Sequence, residues 1–257
     1  HPARHHAVRI AVAHLEAGLR SGDVNHPFPE EHHRKAITAV ARLHLAPTPE
    51  AQAHLLHEGV AAVDAPVVGN TVIDALWWMR KRLDGTELDH LGLPTNRTLV
   101  LLTCHRRESQ GRPMRRALDA VAEVAAARAD ELCVVVPVHP NPVVSEAVRD
   151  RLSNIPGVAL VEPLDYRTMV ALLSAGRMVV TDSGGLQEEA PALGVPVLVL
   201  REKTERPEGV AAGGVELVGT DPDAIKRGIE RILDSPADAA VGSECSSPYG
   251  DGLASAR

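Results

Sequence analysis

Only one phenylalanine, two tyrosines and two tryptophans occur among the 257 residues. With 44% hydrophobic and 24% charged residues, the composition is that of an ordinary globular chain, which excludes disorder and a coiled coil. The three cysteines, Cys104, Cys133 and Cys245, are odd in number and lack CxxC spacing. A disulfide framework and a zinc knuckle are thereby disfavoured, and a reducing cytoplasm fits best. No apolar stretch approaches the roughly 20 residues a membrane helix needs, and the longest candidates, such as Val195 to Leu200, are strand length. There is no basic excess either: 27 basic against 34 acidic residues give a net charge of -7. That disfavours nonspecific binding to nucleic acid or an anionic membrane, so any anion site must be local. Residues 1 to 6 (HPARHH) hold no apolar run that could serve as a secretory signal. The first residue is His1 rather than Met, which is expected of a processed product or a fragment. No self-similar repeat or low-complexity tract is found.

What is present is alternation. Thr98 to Thr103, Leu132 to Val138, Val158 to Val161, Met178 to Thr181, Val195 to Leu200 and Val215 to Val218 read as strands. Helices are predicted between and after them at Pro113 to Ala129, Pro142 to Leu152, Tyr166 to Ser174, Gly185 to Leu193 and Pro222 to Leu233. Such a pattern predicts βαβ units on a parallel sheet with helices on both faces, a doubly wound α/β class. Ahead of residue 64 the pattern is thinner: a short strand at Val8 to Val12, a Gly and Pro loop, and a helical stretch from Pro29 to Leu45. Val63 to Asn70, with Pro66 and Gly69, reads as a crossing between two domains. Trp77 and Trp78 just beyond it have no loop context and are expected to pack between helices.

Five segments carry chemistry. In Val179 to Gly194 an apolar strand ends in Ser183-Gly184-Gly185 and opens a helix, where free N–H groups suit a phosphate or diphosphate. Glu188 and Glu189, one turn in, could accept hydrogen bonds from sugar hydroxyls. Against this stands the simpler possibility that Asp182 and Ser183 cap the helix and the glutamates face water. Leu101 to Pro113 places His105, Arg106 and Arg107 at the carboxyl end of a strand, where open α/β sheets bind ligands. Cys104 and His105 point to opposite sides, so Cys104 is assigned to the core. His14 to Lys35 contains Glu16, Glu30 and Glu31 around a Gly and Pro loop, and carboxylates are common general acid and base groups. The simpler role for Glu30 and Glu31 is to complement a helix dipole. Adjacent His32 and His33 rarely face the same way and no third ligand has suitable spacing, so no metal is assigned. Finally, His139 in VHPNP and Arg201 and Arg206 in REKTERPE follow further strand ends and are expected to join the same edge as Ser183.

Taken in order, HLEAGLRSGD, HPFPEEHHR, APTPEA, VGNTVIDAL, CHRRESQGR, PVHPNP, TDSGGLQEEAPALGVPVLVLREKTERPE, VGTD and SPYGDG resemble the blocks of the non-hydrolysing UDP-N-acetylglucosamine 2-epimerase family. They span about residues 11 to 252, and the stretch from DSGGLQEEAP to TERPE is the most specific. The resemblance implies a glycosyltransferase-B-like fold, two Rossmann-type domains with a UDP-sugar in the cleft between them. It divides the chain into a partial amino-terminal domain (1–65), a UDP-binding domain (66–240) and a returning carboxyl-terminal segment (241–257).

By the same resemblance Glu16, Glu30 and His105 correspond to catalytic residues. Ser183, Gly184, Gly185 and Glu189 correspond to the UDP-binding set, and Arg106, His139 and Arg206 to further substrate-binding residues. The implied reaction interconverts UDP-N-acetylglucosamine and UDP-N-acetylmannosamine through elimination of UDP to 2-acetamidoglucal and re-addition, with no cofactor or metal. UDP-N-acetylglucosamine also acts as an allosteric activator in bacterial members, and a homodimer is implied. The family pattern has Gly where Cys104 stands, and an aromatic near uracil where Met169 stands. It also implies a longer protein, with a GTRPE-like loop and a catalytic aspartate in a GDT-like motif ahead of His1 and a longer helix after Arg257. Two alternatives remain at this point: a glycosyltransferase of the same fold, which needs an acceptor, and a truncated noncatalytic fragment that only binds UDP-sugar.

Overall fold

The computed structural model describes residues 10–24, 28–236 and 247–257. Cys245 lies outside them. The chain divides into two units. Among the described residues, the first holds those up to Trp77, Glu205–Glu208 and 247–257; the second holds Trp78–Thr204 and 209–236.

The second unit is built on strands β3 (Thr98–Thr103), β4 (Leu132–Pro137), β5 (Val158–Val161), β6 (Met178–Thr181), β7 (Val197–Val199) and β8 (Val215–Leu217). They form one six-stranded sheet in the order β5-β4-β3-β6-β7-β8, every neighbouring pair parallel. Counted within the unit this is 3-2-1-4-5-6, the doubly wound order in which the strand sequence reverses between the first and fourth strands, here β3 and β6. Side chains alternate between two cores, as pleating requires. Val100, Leu102, Val134 and Val136 face one, while Leu101, Val135, Val179 and Val197 face the other.

Helices cover both faces. Helix α4 (Arg112–Ala127) buries Met114, Ala117, Leu118, Val121 and Val124, an i, i+3, i+4 stripe, against the first core. Helix α9 (Pro222–Asp234) joins it through Ile225, Ile229 and Ile232, and approaches so closely that a Cβ at Gly228 would lie 2.9 Å from Leu198 Cδ1. Helices α5 (Pro142–Leu152), α6 (Tyr166–Ala175) and α9 start at Asn141, Asp165 and Asp221, whose side chains accept the backbone N–H of Val143, Thr168 and Ala224. Helix α7 (Leu186–Ala192) follows β6, and the short α8 (Pro207–Ala211) follows β7. The strand expected over Val195 to Leu200 is confined to Val197–Val199; Pro196 has no N–H to give a ladder.

Among the described residues the first unit has two strands, β1 (Ala13–Leu15) and β2 (Leu43–Leu45), paired in parallel with His14 opposite His44. The expected strand at Val8 to Val12 is thus displaced: its described part, Ile10 to Val12, has no strand structure and pairing begins at Ala13. The expected helix from Pro29 to Leu45 also stops early. Helix α1 spans Glu30–Thr38, and after a turn at 39–42 the chain enters β2, which pairs with β1 instead of continuing the helix. Helices α2 (Pro49–His57) and α3 (Thr71–Arg80) follow. Thr48 caps α2 by accepting the Ala51 N–H at 3.0 Å. Ala17, Leu19, Ala46, Ala51, Leu55 and Ala65 form the small core of this unit. The tryptophans behave differently from expectation. Trp77 lies against Gly252, whereas Trp78 is exposed and stacks under the Arg82 guanidinium, 3.7 Å from its ring centroid.

Candidate active site

In the second unit the carboxyl ends of β3, β4, β5 and β6 open onto a pocket of about 320 Å³. Cys104 and His105 line it after β3, Val138 and His139 after β4, and Leu164 after β5. Ser183, Leu186 and Glu189 complete it after β6. An open α/β sheet binds its ligand at this reversal of strand order because the diverging loops leave a crevice there. Pro137, Pro163, Leu164 and Met169 make one wall apolar, while His105, His139, Ser183 and Glu189 supply polar groups. A mostly apolar pocket with a few convergent polar groups is the usual form of a small-molecule site.

The floor is organised by Asp182, the residue directly after β6. It is completely buried. Its Oδ2 accepts the backbone N–H of His105 at 2.9 Å and of Arg106 at 2.8 Å, and Oδ1 lies 3.3 Å from His105 Nδ1. Two successive backbone N–H groups enclosing a carboxylate form an anion nest, which offsets the cost of burying the charge. Beside it, the Thr103 and Thr181 hydroxyls share a hydrogen bond of 2.6 Å, and Thr181 Oγ1 also accepts the Ser183 N–H. The His105 ring stacks on that of His139, with centroids 5.4 Å apart and planes within 7°. Burial first, and then the neighbouring Asp182 carboxylate, push the Cys104 thiol far above its ordinary range. A thiol held neutral in this way is no nucleophile, in agreement with its assignment to the core.

Ser183, Gly184 and Gly185 lead into α7. The N-cap position of the helix is Gly185, and the Asp182 carboxylate accepts from the backbone of His105 and Arg106, so Asp182 has another role than capping it. Space beside Gly185 is open: an added Cβ there would meet only Glu189 Oε2, at 3.8 Å. Nor do the glutamates face water, since Glu188 and Glu189 are both buried. Glu189 Oε1 accepts the Tyr166 hydroxyl at 3.0 Å. Burial raises the Glu189 carboxyl above its usual range, and the tyrosine hydrogen bond pulls partly the other way. The Tyr166 phenol is itself raised, by burial and then by the Glu189 charge.

Glu16, Glu30 and Arg206 belong to the first unit. Glu16 follows β1 with φ +60°, a left-handed conformation that costs a non-glycine residue roughly 1 kcal/mol or more. Its Oε1 accepts from Asn70 Nδ2 at 3.3 Å and Arg206 Nη2 at 3.4 Å. Arg206 in turn holds Glu205 at 2.7 Å, Glu205 lies 3.8 Å from Arg34, and Arg34 lies 3.6 Å from Glu31. Charges therefore alternate from Glu16 to Glu31 through a mostly buried chain. Of the adjacent pair, Glu30 is exposed in the first turn of α1, whereas Glu31 is buried and accepts the Ser21 N–H. Among the described residues no three His, Cys, Asp or Glu side chains are grouped to hold a metal ion.

A family model described as UDP-N-acetylglucosamine 2-epimerase matches residues 5–257. The chain belongs to the UDP-N-acetylglucosamine 2-epimerase family. It is 44% identical to the UDP-N-acetylglucosamine 2-epimerase of Salmonella typhimurium, over 97% of this chain and 68% of that protein. Among solved structures, the UDP-GlcNAc 2-epimerase from Neisseria meningitidis bound to UDP-GlcNAc is 37% identical with a TM-score of 0.93, covering 99% of this chain and 70% of that one. The S. aureus MnaA–UDP structure is 38% identical with a TM-score of 0.91, covering 99% and 69%. These likenesses place the chain in the glycosyltransferase-B type of α/β fold, with the parallel sheets described above.

Of the residues singled out from sequence, the pocket brings together His105, His139, Ser183 and Glu189, with Arg106, Gly184 and Gly185 in the same loops. Three residues were overlooked: Asp182, read only as a cap; Tyr166, whose hydroxyl reaches Glu189; and Glu205, which links Arg206 to Arg34. An acidic residue at the end of the strand where the order reverses is a usable signal for Asp182. No local pattern announces the other two.

Proposed function

We propose that the chain catalyses the non-hydrolysing C2 epimerisation of UDP-N-acetylglucosamine to UDP-N-acetylmannosamine. The observation that carries this reading is the polar and apolar pocket at the sheet reversal of a member of this epimerase family. The apolar wall with Met169 takes the uracil, Glu189 accepts from the ribose hydroxyls, and the Ser183-Gly184-Gly185 loop with Arg106 takes the diphosphate. A thioether packs against a base less firmly than an aromatic ring does.

The chemistry removes a weakly acidic proton from C2 while the C1–O bond breaks and its electron pair leaves with UDP. The resulting 2-acetamidoglucal then takes UDP back at C1 and a proton at C2 on the opposite face. Glu16 and Glu30 serve the proton transfers at C2 in this reading, and His105, stacked with His139, serves the diphosphate. A positioned acid or base contributes about 10²- to 10⁴-fold. UDP-N-acetylglucosamine as an allosteric activator, a homodimer and residence in the cytoplasm belong to the same proposal. Light scattering checks the dimer, and the dependence of rate on substrate concentration checks the activation.

Incubation with UDP-N-acetylglucosamine alone tests the activity: the manno epimer is expected without any acceptor. No turnover until an acceptor is supplied would favour a glycosyltransferase, and UDP binding by calorimetry with no turnover under any condition would favour a binding function.

A further inference from the structure

We propose that Asp182 is a positioning residue for the reaction: it holds His105 with Nδ1–H on its carboxylate, so that Nε2 is the nitrogen that gives and recovers a proton at the departing diphosphate. This inference rests on the reading of His105 given above. Its support is geometric. Asp182 is completely buried directly after β6, yet its carboxylate reaches across to the segment after β3. The backbone N–H groups of His105 and Arg106 fix the carboxylate at 2.9 and 2.8 Å, and the fixed carboxylate in turn faces His105 Nδ1 at 3.3 Å. His139, from the loop after β4, stacks on the ring and restricts its tilt. Imidazole has one nitrogen on each side of the ring, so a carboxylate that takes Nδ1–H settles which nitrogen works on the substrate.

Charge balance follows the same geometry. As the C1–O bond breaks, its electron pair settles on the β-phosphate oxygen, and the Nε2 proton of a charged His105 moves to that oxygen. Asp182 compensates the imidazolium before this transfer and orients the neutral ring after it. Re-addition of UDP to the glycal returns the proton to Nε2. The cycle needs no co-reactant. A carboxylate that only stapled two loops would not need to face the ring nitrogen. Asp182, 3.3 Å from Nδ1, and His139, stacked on the ring, face it, and Cys104, which neighbours the same carboxylate, is held neutral.

The test combines nuclear magnetic resonance with a mutant cycle on the full chain. In the wild-type protein, ¹⁵N shifts of neutral His105 are expected to show Nδ1 protonated; protonation at Nε2 instead overturns the proposal and needs no variant. Asp182→Asn is expected to move the His105 titration to lower pH and to cut kcat by about 10²- to 10⁴-fold, with KM changed less. In a His105→Asn background the same change is expected to cost less than about 3-fold. Losses that multiply in the double variant, or an Asp182→Asn enzyme with an unaltered His105 titration, overturn it. If His105→Asn is fully active, the reading of the site itself fails, which is a separate outcome.

Discussion

At the scale of single residues, two positions are dictated by contacts that the sequence only hints at. Gly18, in the turn after Glu16, has φ +89°, and a Cβ there would lie 2.1 Å from the Ala51 carbonyl oxygen. Gly18→Ala is therefore expected to destabilise by about 2 to 4 kcal/mol, read as a lowered midpoint in denaturant. Glu189 is the second. Its carboxyl is raised in the folded state by burial, so folding takes up protons where the unfolded glutamate has already ionised. Its charged form thus erodes stability as pH rises through the ordinary carboxylate range and past it. Glu189→Gln is expected to remove that dependence and raise the melting temperature at pH 7. The same change should weaken UDP by about 10-fold in calorimetry, because the ribose loses an ionic acceptor. A variant both stable and undiminished in UDP affinity would remove Glu189 from the site. The motif DSGGLQEE pointed to a phosphate or sugar site, but not to the contact between Asp182 and the histidine, since that contact joins positions far apart in sequence.

Elements explain which expectations transferred. The strands of the second unit were legible as short, mainly apolar runs flanked by turns; β4, β6 and β7 are buried almost throughout, while the edge strand β5 is half-buried and β8 exposes Glu216. The first unit was read less well: the apolar run before Ala13 lies outside the pairing, which falls on Ala13–Leu15 and Leu43–Leu45, each centred on a histidine. His14 of β1 bears a measurable consequence. Burial, followed by the nearby His44, Arg20 and Arg34, lowers its pKa from 6.5 to about 4. A depressed histidine contributes stability that is whole above pH 6.5 and is lost as the pH falls from there toward about 4. His14→Gln is expected to flatten the stability curve across that window by about 1 to 2 kcal/mol, allowing for solvent screening. Thermal melts at closely spaced pH values check this; a curve as steep as that of the wild type would show that His14 is not the group involved.

For the whole molecule, the ordered motifs were enough to identify the family, because several short segments rich in Gly, Pro, His and Arg recur at strand ends where chemistry gathers. What they could not convey was the division of labour in space. His105, His139, Ser183 and Glu189 share a pocket of the second unit, while Glu16, Glu30 and Arg206 lie in the first, whose long-range pairs join residues 16, 34 and 205–206. On the proposed reading UDP occupies the pocket; a bound ligand stabilises the folded state by mass action, about 2.7 kcal/mol at 100 times Kd, so a UDP-dependent rise in melting temperature is expected. That rise should be absent in a Gly185→Trp variant, in which the open space beside the loop is filled.

The central claim concerns the C2–H bond, and isotope exchange reports on it directly. With UDP-N-acetylglucosamine in deuterated water, the account predicts deuterium at C2 of the manno epimer, and in time of the recovered gluco epimer, detected by mass spectrometry and proton resonance. An epimer formed with its original C2 hydrogen retained, or UDP-sugar recovered without deuterium under conditions where UDP binds, would contradict it.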